Sequence, residues 1–555
     1  MKKATRILSI LIVILLLVAA CQTAPPQEPT PPIEVAPTPI EPPSPDDPLE
    51  EVEDFPNFNR TGYPIVDEMV TLRVLFSTSP DHPADFNDIE LVRRDEELTN
   101  VRIDYILVPG VGFAERRNLM LATGDLPDII ESPTPVADLI RFGAEGTFIP
   151  MQELIRDFMP NFLRVVEEIP MLWPFITAPD GNIYGLARVN AGPWMTSNGL
   201  GIINQAWLDE LGLDMPTNID EFHEVLRAFK ERDPNSIPFL FAPTDDDQRS
   251  LTGNNGLGYI MHSFGLPVGI EPYTAVRDGE VICLATMPEM REAIRFFATL
   301  YSEGLIDMEA FTLDNSAFRA RLNSDPMRVG YSQVWDINDI VSNPENNEML
   351  VYMPLLYGPD GRVPQKFINP MPGIARGWGV ITSACELPHV AARWMDRRFD
   401  PINAIEHNEG PRDLRLLAQP DGTYHVRPAP EGMSVAQDRF SHATTGLVGL
   451  TPSAYQILKL PHTDPKVNFV RSIPDRFIHP EPMLPVYYTI EESEIVVQLQ
   501  TDVTSYINRR FSEWIMNGRI DDEWYDFLEE IERVGRSRLF EIRQAAFDRF
   551  MAAAG

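Results

Sequence analysis

Apolar and polar positions along the first third of the chain follow two different periods. A short apolar run at residues 71–76 and a period-two run at residues 101–108 predict strands, whereas residues 88–98 and 113–122 have the character of helices. A third short strand is predicted to end at Ile130. This β-α-β-α-β order predicts parallel strands joined by right-handed crossovers, and therefore an α/β fold.

The topology also predicts where a binding site lies. Ligands of open parallel sheets bind beyond the carboxyl ends of the strands. Glu131, Ser132 and Thr134 follow the third predicted strand directly. All three residues are therefore expected at a binding cleft.

The C-terminus has a different pattern, with apolar residues at the i, i+3, i+4, i+7 spacing of a buried helical face. Gly535 interrupts this pattern, which then resumes. The sequence predicts two packing helices rather than a site, with inward residues Trp524, Phe527, Leu528 and Ile531 in the first and Leu539, Ile542, Ala546 and Phe550 in the second.

The first twenty-one residues resemble an export signal. Three basic residues precede an apolar run at residues 7–20, which at about 1.5 Å per residue would span roughly 21 Å, short of the ~30 Å hydrocarbon core. The run ends in Val-Ala-Ala-Cys21, which resembles the lipobox of bacterial lipoproteins. We predict that residues 1–20 are a signal peptide and that Cys21 is acylated. An ordinary cleaved leader with a chance cysteine is the alternative.

Residues 22–57 are rich in proline and acidic side chains and have no helical or strand period. Such a segment cannot bury a core, and it favours extended polyproline II at about 3.1 Å per residue. The segment is predicted to be a spacer of up to roughly 110 Å between a lipid surface and a globular body.

Charge limits the partners of that body. The formal net charge is −36, and loss of the basic leader makes the remaining chain more acidic still. This excess argues against nucleic acid and anionic lipid headgroups as partners, and mildly against polyanionic ligands, although a cleft can carry its own local charge. Cys283 and Cys385 are the cysteines that follow Cys21, and buried free thiols are the default expectation for them.

Motifs that carry chemistry are missing from the sequence. There is no phosphate loop, no dinucleotide fingerprint, no HExxH and no GxSxG, and the 9 histidines lack the spacing of metal ligands. Pairs of carboxylates are too numerous among 82 acidic residues to indicate glycosidase chemistry. We therefore predict that the protein is not an enzyme and uses no cofactor or metal.

Several tryptophans lie beside glycine, proline or polar residues rather than in apolar stripes. Flat rings cover the C–H faces of sugars, and neighbouring amides, carboxylates and arginines bind the hydroxyls. Residues 332–338 (SQVWDIN) supply both kinds of group together. Burial in the core is the usual alternative for any single tryptophan, and the candidates are Trp173, Trp194, Trp335, Trp378 and Trp394.

Taken in order, several segments resemble the family 1 extracellular solute-binding proteins of ATP-driven sugar importers, in the lipoprotein-type branch of Gram-positive bacteria. No single motif is specific to this family. The succession of the motifs in this order, from about residue 59 to the C-terminus, is specific to it. The segments are 121–130 (LATGDLPDII), 146–150 (GTFIP), 180–185 (DGNIYG), 207–213 (WLDELGL), 216–222 (PTNIDEF), 357–361 (YGPDG), 394–396 (WMD), 514–518 (WIMNG) and 544–550 (QAAFDRF).

This resemblance implies a two-lobed periplasmic-binding-protein-like fold with a ligand cleft between the lobes and a helical C-terminus. It implies one lobe from residues 58–187 plus about 372–440, and a second from about 188–371 plus 441–555. Ser132 and Thr134 would lie at the cleft rim. Residues 188–194 would cross between the lobes and line the cleft with Arg188, Asn190 and Trp194, and the second lobe would add Trp335 and Asp336.

The chain departs from its branch at two places. Residues 233–238 (DPNSIP) run on without the calcium-loop-like insertion that relatives often carry there, so no calcium is expected at this position. The proline that commonly follows Tyr-Gly-Leu is replaced by Ala187 and Arg188, which places a guanidinium in the predicted cleft. The assignment of a neutral sugar is weakened by this charge.

The sequence is compatible with three functions. The favoured one is an extracellular, lipid-anchored protein that captures an oligosaccharide or similar polar solute by lobe closure and passes it to membrane permeases. A sensory or adhesive lipoprotein without an importer is the second, and an anchored enzyme acting on polysaccharide is the third. The enzyme would require two carboxylates facing each other across a cleft at glycosidase spacing.

Overall fold

The computed structural model describes residues 55–79, 81–192, 199–243, 251–269, 271–369, 371–430, 433, 435–459, 464–484 and 486–554. The strands in chain order are β1 (Val70–Thr78), β2 (Val101–Pro109), β3 (Ile129–Glu131), β4 (Leu186–Asn190), β5 (Leu200–Asn204), β6 (Ile237–Leu240), β7 (Thr274–Arg277), β8 (Glu280–Cys283), β9 (Val329–Val334), β10 (Leu350–Tyr352), β11 (Ile374–Trp378), β12 (Val380–Ile381), β13 (Leu416–Ala418), β14 (Tyr424–Val426), β15 (Gly449–Leu450) and β16 (Leu458–Lys459).

The α-helices of these residues are α1 (Glu90–Thr99), α2 (Gly110–Thr123), α3 (Val136–Ala144), α4 (Gln152–Phe158), α5 (Pro160–Glu168), α6 (Leu172–Ile176), α7 (Gln205–Leu211), α8 (Ile219–Arg232), α9 (Gly258–Met261), α10 (Pro288–Ser302), α11 (Asn315–Leu322), α12 (Ile337–Ile340), α13 (Pro344–Met349), α14 (Pro388–Asp396), α15 (Pro401–Glu409), α16 (Val435–Phe440), α17 (Ala454–Ile457), α18 (Asp464–Ser472), α19 (Ile490–Asn517), α20 (Ile520–Val534) and α21 (Arg536–Ala554). Among the described residues, no helix is both long and apolar enough to cross a bilayer.

The first sheet has the order β12-β3-β1-β2 and contains the three predicted strands. β1 pairs in parallel with β2 along its whole length and in parallel with β3, which confirms the predicted β-α-β-α-β unit. β12 joins antiparallel at the edge, through Val380 opposite Ile130. This strand comes from far along the chain, so the N-terminal pattern could not predict it.

The second sheet has the order β10-β5-β9-β6. β9 is buried along its full length, and it pairs antiparallel with β5 and parallel with β6. Leu200 at the start of β5 lies opposite Val334 at the end of β9. The start of β5 and the ends of β6 and β9 therefore share one edge, at which Trp335 and Asp336 follow β9.

A third, smaller sheet of order β11-β4-β15 contains the two chain segments that pass between the larger sheets; we call it the crossing sheet. β4 precedes the strands of the second sheet, and β11 leads through Gly379 into β12 of the first. β4 pairs antiparallel with β11 and parallel with β15. The predicted lobe boundaries stay a prediction. The segment before β15, which that prediction places in the second lobe, contacts the first sheet, since Leu447 N–H donates to Glu131 at 3.0 Å.

The C-terminal helices confirm the predicted apolar faces. In α20 the side chains of Trp524, Phe527 and Ile531 are buried and Leu528 is half-buried. Gly535 ends this helix at a φ of +113°, a left-handed conformation that favours glycine. All four predicted inward residues of α21 are buried, and the two helices pack with α19 and with α10 and β8.

Candidate functional site

Arg188 is half-buried on β4, at the centre of the crossing sheet. Its Nε donates to the carbonyl oxygen of Gly446 at 3.0 Å, and its Nη2 donates to Asn408 Oδ1 at 3.3 Å. Burial is the main cause that lowers the pKa of Arg188, and the charge of Arg439 acts in the same direction. The guanidinium is thus held in place by neutral acceptors.

Trp378 lies beside this guanidinium, with its ring centroid 5.7 Å from Cζ of Arg188. The ring is half-exposed at the end of β11, between Gly377 and Gly379, whose φ angles are +79° and +62°. A Cβ at residue 377 would lie 2.3 Å from the carbonyl oxygen of Thr134, so the strand can approach the first sheet only with glycine there. Trp378 is one of the candidate aromatic residues of the sequence but not one of the residues predicted to line the cleft, and its Gly-Trp-Gly setting is the signal that marks it.

Asn190 ends β4 and is also half-buried. Its Oδ1 accepts a hydrogen bond from the hydroxyl of Tyr455, and its backbone N–H donates to the carbonyl oxygen of Gly373 at 3.0 Å. Asn190 and Arg188 are two residues apart on one strand, so their side chains lie on the same face of the crossing sheet. The structure therefore brings together two of the predicted site residues.

Ser132 and Thr134 lie just beyond β3, as the topology predicted, but both are buried. The Ser132 hydroxyl donates to the carbonyl oxygen of Glu131 at 2.6 Å and accepts from Ser77 N–H at 2.7 Å. Thr134 N–H donates to the carbonyl oxygen of Gly377 at 3.0 Å. The Ser132 bonds hold residues of the first sheet together, and the Thr134 bond ties that sheet to β11 of the crossing sheet. Both sets of bonds support a role in shaping the rim rather than in direct ligand contact.

A buried ion pair lies next to Ser132 and to the segment that contains Gly446. Glu131, which is 0% exposed, accepts from Nη1 of Arg398 at 3.0 Å and from the N–H of Leu447 at 3.0 Å. Burial raises the pKa of the Glu131 carboxyl. Because Gly446 precedes Leu447, this ion pair also positions the carbonyl group that holds Arg188.

Trp335 and Asp336 lie at the edge of the second sheet, directly after β9. Asp336 is buried and caps α12 by accepting from the N–H of Asn338 at 2.9 Å. Lys466 of α18 places its Nζ 3.9 Å from Asp336 Oδ2 and 3.7 Å from the Trp335 ring centroid. The ammonium therefore covers one face of the half-buried indole, and a sugar ring can stack only on the other face.

The other candidate tryptophans from the sequence are either outside the described residues or buried. Trp194 lies outside the described residues. Trp173 on α6 and Trp394 on α14 are buried in the hydrophobic core, where Trp394 also packs against the guanidinium of Arg398 at 4.5 Å. The structure thus assigns packing roles to these two rings and leaves Trp335 and Trp378 as the partly exposed candidates.

The assembled groups suit binding better than catalysis. Of the residues that the resemblance places at the cleft, Asp336 alone carries a carboxylate, and its contacts with Lys466 and the α12 cap do not match the paired carboxylates of a glycosidase. No cluster of three or more His, Cys, Asp or Glu side chains within the described part of the chain has the arrangement of a metal site. What the geometry offers is aromatic surface, one anchored guanidinium and amide groups.

Comparison with known proteins gives a consistent result. The pattern of the family described as bacterial extracellular solute-binding protein matches residues 90–384. The fructooligosaccharide ABC transporter substrate-binding protein FusA of Streptococcus pneumoniae is 30% identical over 511 residues, covering 87% of this chain and 91% of that protein. The similarity therefore extends over nearly the whole globular body.

Solved structures agree with this result. FusA in complex with kestose superposes with a TM-score of 0.75 at 29% identity, covering 87% of this chain and 100% of that one. A human-milk-oligosaccharide-binding protein from Bifidobacterium longum infantis has a TM-score of 0.76 at 20% identity, covering 87% and 99%. The predicted two-lobed periplasmic-binding-protein-like fold is confirmed. The chain belongs to family 1 of the bacterial extracellular solute-binding proteins.

Proposed function

We propose that this protein is the extracellular, lipid-anchored substrate-binding component of an ATP-binding-cassette importer for oligosaccharides. The observation that carries the proposal is the 30% identity with FusA over 87% of the chain, joined to a fold in which a crossing sheet connects two larger sheets. FusA is named for its fructooligosaccharide substrate and its transporter. Membrane permease subunits are the partners that follow from this role.

The proposed ligand contacts lie on two surfaces. Arg188, Asn190 and Trp378 form the first on the crossing sheet, and Trp335 and Asp336 form the second at the edge of the second sheet. Aromatic faces would cover the C–H surfaces of sugar rings, while the guanidinium and amide would bind hydroxyl groups. Trp194 belongs to the proposed site on sequence grounds, and Ser132 and Thr134 would shape its rim.

Thermal unfolding in the presence of an oligosaccharide panel tests the function directly. The panel contains kestose, neutral plant and milk oligosaccharides, and oligomers of uronic acids. A ligand at one hundred times its dissociation constant should add about 2.7 kcal/mol to the free energy of unfolding. If every oligosaccharide leaves the melting temperature unchanged at millimolar concentration, the proposal is wrong.

Ligand binding is expected to close the lobes, because a sugar held between two sheets contacts both surfaces only in the closed state. Small-angle X-ray scattering with the best ligand of the panel should give a smaller radius of gyration than the free protein. A disaccharide that gives no thermal shift serves as the control. An unchanged radius at saturation would contradict closure.

The lipid anchor is tested at Cys21. Expressed with its leader in a Gram-positive host, the wild-type protein should partition into the detergent phase, and Cys21→Ala should stay in the aqueous phase. Cys385→Ala, which changes a thiol in the globular body, is the matched control and should partition like the wild type. The same partitioning for Cys21→Ala and wild type would refute acylation at this residue.

A further inference from the structure

Thr445 has a backbone conformation that is unusual for its residue type. Its φ is +55°, in the left-handed region, where a β-branched side chain crowds the backbone. Tyr273 also has a positive φ, but its ring is buried and its hydroxyl donates to Asn508 Oδ1 at 2.6 Å. The other non-glycine residues of the described chain with a positive φ are asparagines or aspartates, which tolerate this region, namely Asn57, Asn100, Asp278, Asp360 and Asp413.

Hydrogen bonds from two other strands hold the chain directly after Thr445. The carbonyl oxygen of Gly446 accepts from Nε of Arg188 on β4 at 3.0 Å. The N–H of Leu447 donates to Glu131 on β3 at 3.0 Å. A Cβ at residue 446 would lie 2.2 Å from Glu131 Oε1, so the close approach of these two segments requires glycine there. The backbone that follows Thr445 is therefore fixed by its neighbours.

The chain at and before Thr445 is held in the same way. The N–H of Thr445 donates to the carbonyl oxygen of His407 at 2.9 Å. The carbonyl oxygen of Thr444 accepts from Nε2 of His82 at 3.2 Å. Nε2 is the donor because Nδ1 of the same ring accepts from the N–H of Ser79 at 2.9 Å. A strained conformation persists only where the surroundings impose it, and these bonds on both sides impose this one.

The segment held by these bonds lies at the edge of the first sheet where a ligand is expected. Glu131 is the last residue of β3, and His82 follows shortly after the end of β1. Ligands of open parallel sheets bind beyond the carboxyl ends of the strands. Arg188, which belongs to the proposed contact surface on the crossing sheet, is bonded to the residue that follows Thr445. Thr445 therefore lies beside that surface.

The side chain of Thr445 has no role in the fold that accounts for the strain. Thr445 is half-buried, whereas the residues on either side of it, Thr444 and Gly446, are buried. Its hydroxyl forms no hydrogen bond with any residue that the structure describes. Glycine or asparagine would adopt this backbone more easily. Strained residues of this kind cluster at ligand-binding sites, where the side chain has a function outside the fold.

We propose that Thr445 is a ligand-contact residue whose hydroxyl forms a hydrogen bond with a hydroxyl group of an oligosaccharide bound beside Arg188. The fixed backbone orients the side chain before the sugar arrives, so little conformational entropy is lost on binding. This inference rests on the proposed function and adds to it a residue that no sequence pattern indicated.

Replacement of the hydroxyl tests the contact. Wild type, Thr445→Ser and Thr445→Val are titrated calorimetrically with kestose and with the panel oligosaccharide that gives the largest thermal shift. Serine keeps the hydroxyl, whereas valine keeps the branched shape and the backbone strain without it. Thr445→Ser should bind within about twofold of the wild type, and Thr445→Val should bind at least about fivefold more weakly, as expected for the loss of one hydrogen bond.

Glycine at the same position separates binding from folding. Thr445→Gly removes the strain and the hydroxyl together, so it should keep or raise the melting temperature and yet bind at least about fivefold more weakly. Asp278→Gly is the matched control, because Asp278 is exposed in the turn between β7 and β8 and has a φ of +53°. This control should bind like the wild type.

Equal affinities of Thr445→Val and the wild type would overturn the inference while the proposed function stands. Equal weakening in Thr445→Ser and Thr445→Val would overturn the assignment to the hydroxyl. A lower melting temperature of Thr445→Gly with unchanged binding would show that the side chain supports the fold instead. If no oligosaccharide of the panel shifts the melting temperature of the wild type, the proposed function fails and this inference fails with it.

Discussion

Arg398→Met is expected to lower the free energy of unfolding by about 3–5 kcal/mol, the effect of removing one partner from a buried ion pair. Arg398 is 2% exposed and is the cation beside Glu131, which has no exposed surface. Without it, Glu131 becomes an uncompensated buried carboxylate. Chemical denaturation of the wild type and variant, compared at constant protein concentration, measures the difference.

The effect should depend on pH. Burial already raises the pKa of Glu131, and a carboxyl with a raised folded-state pKa loses stability as pH rises through that pKa. Loss of the cation strengthens this trend, so the deficit of Arg398→Met should be larger at pH 8 than at pH 5.5. Arg116→Met, at an exposed position on α2, is the control and should change stability by less than about 0.5 kcal/mol.

A double variant separates the charge from the packing. Arg398→Met combined with Glu131→Leu removes both ions and should be more stable than Arg398→Met alone, since no buried charge remains unpaired. Equal stability of the single and double variants would assign the loss to packing against Trp394, whose ring lies 4.5 Å from the guanidinium. No loss in the single variant would mean that the ion pair does not support this region.

Trp335→Ala and Trp378→Ala are each expected to weaken oligosaccharide binding by about 2 kcal/mol or more, roughly thirtyfold, as for aromatic anchors in a binding site. Both rings are partly exposed, and in the proposed site each would present its exposed surface to a sugar ring. Folding should suffer less than the ~3–5 kcal/mol that truncation of a core tryptophan costs. Calorimetric affinity and melting temperature are measured on the same preparations.

Trp394→Ala is the matched control, because this ring is buried in the core. It should melt early, and its folded fraction should bind with normal affinity. Trp335→Phe keeps an aromatic face for both Lys466 and a sugar, so it should retain most of the binding. If Trp335→Ala and Trp378→Ala behave like Trp394→Ala, the ligand lies elsewhere.

Local periodicity accounts for what the sequence predicted well. The period-two and helical patterns before Ile130 identified a parallel unit that the structure confirms, with the ends of its elements shifted by at most three residues. The apolar faces on either side of Gly535 were predicted residue by residue. Both patterns depend only on residues a few positions apart within one helix or strand. A single amphipathic element therefore produces them, whatever it packs against.

Ser132 shows where such reasoning stops. Its position after a strand was predicted correctly, but its hydroxyl is used by Ser77 and Glu131 in the fold. A sequence pattern gives the position of a residue along a strand, and it does not give the hydrogen-bond partners that other segments supply. The contribution of a polar side chain to a site therefore depends on tertiary contacts.

By itself, the sequence determined the α/β character of the first sheet and the helical C-terminus. The tertiary structure alone decided that β4 pairs with β11 and β15, that Gly446 and Asn408 hold Arg188, and that Lys466 covers one face of Trp335. These partners are separated by more than a hundred residues of chain. Their contacts arise from how whole sheets pack together, and hydrophobic periodicity carries no information about partners at that distance.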